Sequence, residues 1–277
     1  MQGFKTRAIS AVVFVILMAG GILWSYYSYV FLFFILMNLL INEYINILKN
    51  VRKPNNVSRF YKPILFTTAS VGFIFSTLVN SGAWPLQMMA VPLALLFFIF
   101  ILELYSNAEA PLRNVAFNVL GIIYIALPII LSQFLISNEN NIYDGSLLMG
   151  VVVMIWVNDM MAYLVGSRFG KTPLFKRISP KKTWEGSLGG LFGCIVVAVS
   201  AYFLVGILNW NDWLGIAGIV FIFGTYGDLV ESLMKRNFNI KDSGNFMPGH
   251  GGFLDRFDAL LFTIPFVVFY LLLFVWN

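Results

Sequence analysis

Asp228 and Glu231 lie three residues apart, and so do Asp255 and Asp258. That spacing puts the members of each pair on one face of a helix. Ser232 and Lys235 continue the face of the first pair. Between the pairs run Arg236, Lys241, Asp242, Ser243 and Gly244, then the turn-rich residues 248–252, which contain the only histidine, His250. Helix-borne carboxylates joined by a basic, glycine-rich segment suit a hard cation. Mg²⁺ takes oxygen ligands, usually one or two carboxylates completed by substrate phosphates and water. One histidine and one distant cysteine, Cys194, do not suit zinc. A general base, a phosphate donor and no chemical role all remain open for His250.

Two further groups add to this constellation. Asp159 stands about 10 Å inside the end of an apolar run, by helix rise. A carboxylate at such depth must pair, bind a cation or take a proton. The next polar segment, 167–186, carries Arg168, Lys171, Lys176, Arg177, Lys181 and Lys182 among glycines and hydroxyls. Backbone N–H groups approach phosphate oxygens closely at glycine, and lysine adds a point charge. Anionic lipid headgroups or the topology rule alone would also account for that charge. No G-x-x-x-x-G-K-[ST] pattern occurs, so this is not a P-loop.

These residues sit in a chain of 277, of which 59% are hydrophobic and only 11% charged. Soluble domains carry about a quarter charged residues. The apolar residues come in long runs, which points to an all-α, polytopic integral membrane protein and excludes the alternating segments of a β-barrel. Nine spans are expected, near 8–26, 28–48, 63–81, 84–104, 115–136, 147–166, 187–208, 213–234 and 258–276. Lys5 and Arg7 before the first run resemble a signal peptide, but the further runs favour an uncleaved first span. With the N-terminus inside, all 18 Lys and Arg fall on that side, and the outside loops hold only Glu139, Asp144 and Asp212 as charges. This predicts N-terminus in and C-terminus out. It also explains the net charge of +5 without nucleic acid. A single cysteine permits no intrachain disulfide.

Residues 1–145 are mostly plain apolar spans, with Glu43 and Glu103 near inside helix ends, where a snorkelling or helix-end carboxylate is favoured over a functional role. Residues 146–277 carry the ionisable groups and both basic loops, and are expected to be the catalytic region.

The run Ser232, Lys235, Arg236, Lys241, Asp242, Gly244, Pro248, His250, Gly251, Gly252, Asp255, Arg256 and Asp258 strongly resembles the signature of the phosphatidate cytidylyltransferases, the CDP-diacylglycerol synthases. Asp159, Ala162, Tyr163 and Gly166, and then Ser179, Pro180, Lys181, Lys182, Thr183, Glu185 and Gly186, also look like motifs of that family. The resemblance covers the C-terminal half in detail and the N-terminal half only in character.

The resemblance implies that CTP and phosphatidate give CDP-diacylglycerol and pyrophosphate, with one or two Mg²⁺ ions. It also implies a homodimer in the inner, cytoplasmic bacterial membrane, with the site facing the cytoplasm. On that basis Asp228 and Asp255 are expected as metal ligands, supported or completed by Asp258 and Glu231. Lys182, Lys235, Arg236, Lys241, Arg256, Ser179 and Thr183 would hold phosphates, with His250 near the triphosphate. Asp159, Tyr163, Glu185 and Ser232 would support them. A cytidylyltransferase for another lipid phosphate and a CTP-dependent polyprenol kinase are the nearest rivals. The pattern of the CDP-alcohol phosphotransferases is not found. A transporter or proton channel would use the intramembrane acids but leaves the basic glycine-rich loops without a role beyond topology.

Overall fold

The structure is a computed structural model that describes residues 2–51, 60–136, 143–238, 240, 243–244 and 252–276. The described chain is helical almost throughout. The helices are α1 (Gln2–Leu23), α2 (Tyr26–Val51), α3 (Tyr61–Asn80), α4 (Ala90–Leu104), α5 (Pro111–Gly121), α6 (Leu127–Leu131), α7 (Ser146–Phe169), α8 (Trp184–Val205), α9 (Trp210–Ile219), α10 (Thr225–Asn237) and α11 (Leu254–Phe274). A π-helical turn, Ile122–Ala126, joins α5 to α6, and another, Val220–Gly224, joins α9 to α10. Among the described residues, eight helical stretches are long and apolar enough to cross a membrane. Their limits, such as Tyr61–Asn80, Pro111–Leu135 and Ser146–Phe169, lie within a few residues of the runs expected from hydropathy. The first expected run falls on α1, which is apolar over Ser10–Leu23.

Two compact units are distinguished. The first comprises Met1–Gly21, Tyr26–Phe134 and Ser243–Leu254. Its buried side chains include Leu40, Ile41, Tyr44, Leu65, Ala69, Ile125 and Ile129. Polar pins join its helices. Tyr44 donates to the Phe117 carbonyl at 2.9 Å, and the Tyr29 and Ser132 hydroxyls share a hydrogen bond of 2.6 Å. Pro128 has no N–H to return to the preceding turn, and the π-turn lies just ahead of it. Glu103 lies at the end of α4 but not at the surface. It is 3% exposed and accepts a hydrogen bond of 2.6 Å from the Asn114 amide on α5. The local pattern shows only an acid at a helix end, whereas the partner that permits burial comes from the next helix.

The second unit comprises Ile22–Ser25, Leu135–Asp242 and Asp255–Asn277. Helices α7 and α8 pack side by side, and α9 and the second π-turn pack on α8. Buried residues here include Leu148, Val151, Met154, Cys194, Ala198, Trp213, Ile216, Ile264 and Val267. Large apolar side chains on the outer faces, such as Phe192, Phe203, Leu204, Phe269 and Leu272, remain exposed. Faces of this kind suit hydrocarbon rather than water.

One feature departs from the all-α expectation. Strand β1 (Pro173–Phe175) pairs antiparallel with β2 (Ser179–Thr183), with Pro173 opposite Thr183 and Phe175 opposite Ser179. Pro173 and Pro180 disfavour a helical continuation, and the segment turns back as a short hairpin instead. Thr183 then caps α8, its hydroxyl accepting from the Gly186 N–H at 3.2 Å.

Candidate active site

Four elements of the second unit carry the polar groups: α7, the hairpin, α10 and the start of α11. Helix α10 presents Asp228, Glu231, Ser232 and Lys235 in successive turns. Helix α11 presents Asp255, Arg256 and Asp258 in its first turns. The two helices approach closely because residue 227 is glycine. A Cβ there would stand 2.7 Å from the Asp258 carbonyl and 2.8 Å from Phe262 Cβ, too near for any side chain.

The carboxylates of Asp228, Glu231 and Asp258 converge, with one oxygen of each within 4.8 Å of the others. Glu231 and Asp258 are buried, and Asp228 is half-buried. Asp258 accepts the Ala259 N–H at 2.7 Å, and Ser232 donates to Asp228 at 3.2 Å. Negative charge this concentrated requires cations. Lys182, from β2, reaches Asp228 Oδ2 at 2.6 Å. Lys235 bridges Glu231 Oε2 at 2.8 Å and Asp255 Oδ1 at 2.6 Å. Glu231 Oε1 is buried with no hydrogen-bond partner among the described residues. Three carboxylates, one of them with an unsatisfied buried oxygen, form a donor set suited to a hard divalent cation.

Asp159, on an exposed position of α7, lies within electrostatic reach of Lys182, Asp228 and Arg256. Glu185, in the first turn of α8, accepts the backbone N–H groups of Lys171 and Thr172 at 3.1 and 3.2 Å, which fixes the turn ahead of β1. Ser179 and Thr183 begin and end β2. Thr183 uses its hydroxyl as the α8 cap. Tyr163, Arg236 and Arg256 are exposed. Lys241 and His250, with Asp242, Pro248, Gly249 and Gly251, lie outside the described residues. Of the four acids singled out by spacing, Asp228, Glu231 and Asp258 converge, while Asp255 engages Lys235.

The sequence model of the cytidylyltransferase family matches residues 5–274. The chain belongs to the cytidylyltransferase family. It is 32% identical over 266 residues to a protein of Staphylococcus aureus (strain COL) named phosphatidate cytidylyltransferase, with 94% of each chain covered. The protein of that name from Bacillus subtilis (strain 168) is 37% identical over 190 residues, 68% of each chain. The one from Staphylococcus saprophyticus is 32% identical over 266 residues, 94% of each. The family match therefore takes in both the acidic cluster and the N-terminal helices, which the sequence motifs alone had reached only in character. As a cytidylyltransferase, the chain is a nucleotidyltransferase embedded among helices able to cross a membrane.

Sequence reasoning underestimated Glu43. The carboxylate was expected at a helix end, yet it is only 8% exposed and accepts from Ser243, Phe253 and Leu254. Those partners follow it by about 200 positions in the chain, so no local pattern reveals them.

Proposed function

We propose that this chain transfers the cytidylyl group of CTP to phosphatidate, yielding CDP-diacylglycerol and pyrophosphate. The carrying observation is the convergence of Asp228, Glu231 and Asp258 beside Lys182. The names of the relatives support the choice of substrates. A phosphate oxygen of phosphatidate forms a new bond to the α-phosphorus of CTP. The bond from that phosphorus to the bridging oxygen breaks, and its electron pair leaves with pyrophosphate. The attacking oxygen already carries charge, so the protein has to align the two phosphates and offset their repulsion.

Asp228, Glu231 and Asp258 would hold Mg²⁺, as one ion or as a pair with Asp255. When bound, Mg²⁺ supplies positive charge to the reacting phosphate oxygens. Lys182, half-buried and already near the acids, shares its charge between Asp228 and a substrate phosphate. Lys235 fixes the positions of Glu231 and Asp255 through its two ion pairs. Arg236, Arg256, Lys241, Ser179 and Thr183 contribute to phosphate binding, with His250 near the triphosphate. Glu185 orders the hairpin that carries Lys182, and Ser232 orients Asp228. Asp159 and Tyr163 support the site from α7.

The same reading makes residues 146–277 the catalytic region and residues 1–145 a membrane-spanning support. It includes nine spans, N-terminus in and C-terminus out, with the site open to the cytoplasm and two copies forming a homodimer. The distribution of lysine and arginine supports this orientation. CTP then arrives from the cytoplasm, while phosphatidate reaches the headgroup level from the leaflet.

Purified protein in lipid nanodiscs tests the proposal. With CTP and phosphatidate it should release CDP-diacylglycerol and pyrophosphate in equal amounts. Turnover only with a polyprenol or an ether-lipid phosphate, or CTP-independent ion flux, would overturn it.

A further inference from the structure

We propose that Glu43 is a positioning residue for this reaction, tying Ser243 to Phe253 and Leu254 at the start of α11, directly ahead of Asp255. The inference rests on the cytidylyl-transfer reading for its kinetic consequence, but its structural basis is independent.

Glu43 lies on α2 and is buried. Its Oε1 accepts from the Ser243 hydroxyl and, at 3.4 Å, from the Leu254 N–H. Its Oε2 accepts from the Phe253 N–H at 2.7 Å. One carboxylate thus meets donors from both flanks of residues 245–251. Helix α11 begins at Leu254, and the N–H groups at a helix start have no intrahelical acceptor, so a carboxylate there is favoured. Glycines line the approach. A Cβ at Gly252 would overlap Glu43 Oε1 and the Ser243 hydroxyl, and one at Gly244 would stand 3.1 Å from the carboxylate. Residue types, burial and donor geometry all match a carboxylate built into this place rather than one extended along the surface.

The tie fixes Ser243 against Phe253 and Leu254, and so fixes the first residues of α11. Asp255 follows Leu254 directly and pairs with Lys235. Loss of the tie should therefore weaken substrate alignment without removing any group that contacts the substrate.

The test uses full-length Glu43→Ala, Glu43→Gln and Gly252→Ala in nanodiscs. Glu43→Ala should raise the KM for CTP about tenfold, lower kcat less, and speed tryptic cleavage after Lys241 by a similar factor. Gly252→Ala, which keeps the acid but blocks its approach, should show the same pair of changes. Glu43→Gln, retaining one acceptor oxygen, should fall between. If Glu43→Ala fails to fold, the other two variants decide the question. Wild-type KM and cleavage rate in both, with an active parent, would overturn the anchoring alone. Faster cleavage in the variants with no CDP-diacylglycerol from the parent would overturn the functional reading and, with it, the kinetic role of Glu43.

Discussion

Lys235 and Asp255 meet at 2.6 Å across a separation of 20 residues, and the same ammonium also holds Glu231 at 2.8 Å. This one cation fastens α10 to the first turn of α11. Its carboxylate partners sit beside a second cation, Lys182, on Asp228. The acids can therefore lie close together because each side of the cluster has its own counter-charge.

Lys235→Met should destabilise the protein, because it leaves the buried Glu231 carboxylate without its ion pair. Breaking a buried pair from one side costs about 3–5 kcal/mol. Lys235→Arg should recover part of the loss. Thermal unfolding in nanodiscs measures both, and unchanged midpoints would show that Lys235 does not hold the cluster together.

Gly227→Ala places a methyl group 2.7 Å from the Asp258 carbonyl. Overpacking of this kind costs about 1–3 kcal/mol. The variant should lose more activity than stability, since separating α10 from α11 also separates Asp228 from Asp258. A thermal-unfolding midpoint and a kcat measured on the same preparation check the two effects.

Much of the helical frame was legible because uninterrupted apolar runs signal spans directly. The last span shows the limit. Hydropathy starts it at 258, while α11 begins at Leu254, because Asp255, Arg256 and Asp258 interrupt the apolar pattern inside the helix. The acids were legible as two i, i+3 pairs, but spacing within a helix does not reveal pairing between helices. Asp255 turns to Lys235, and Asp258 joins Asp228 and Glu231. The short β-hairpin left no periodic signal in its few residues. The partners of Glu43 were not legible because they are distant in sequence.

Glu185→Ala removes the acceptor for the Lys171 and Thr172 N–H groups. The turn ahead of β1 should loosen, and Lys182 on the paired strand should be held less firmly. The KM for CTP should rise about three- to tenfold with little change in overall stability, consistent with loss of one or two hydrogen bonds to a charged acceptor. Initial rates over a range of CTP concentrations test this, and an unchanged KM would contradict it.

The central claim is that cytidylyl transfer depends on a divalent cation held by Asp228, Glu231 and Asp258. The most direct test is CDP-diacylglycerol formation by folded wild-type protein and by Asp228→Asn and Asp258→Asn, across a Mg²⁺ titration and in excess EDTA. The account predicts no product in EDTA, restoration by Mg²⁺, and a loss of at least about 100-fold in kcat for each variant. Full turnover in EDTA, or near-normal turnover in either variant, would contradict it.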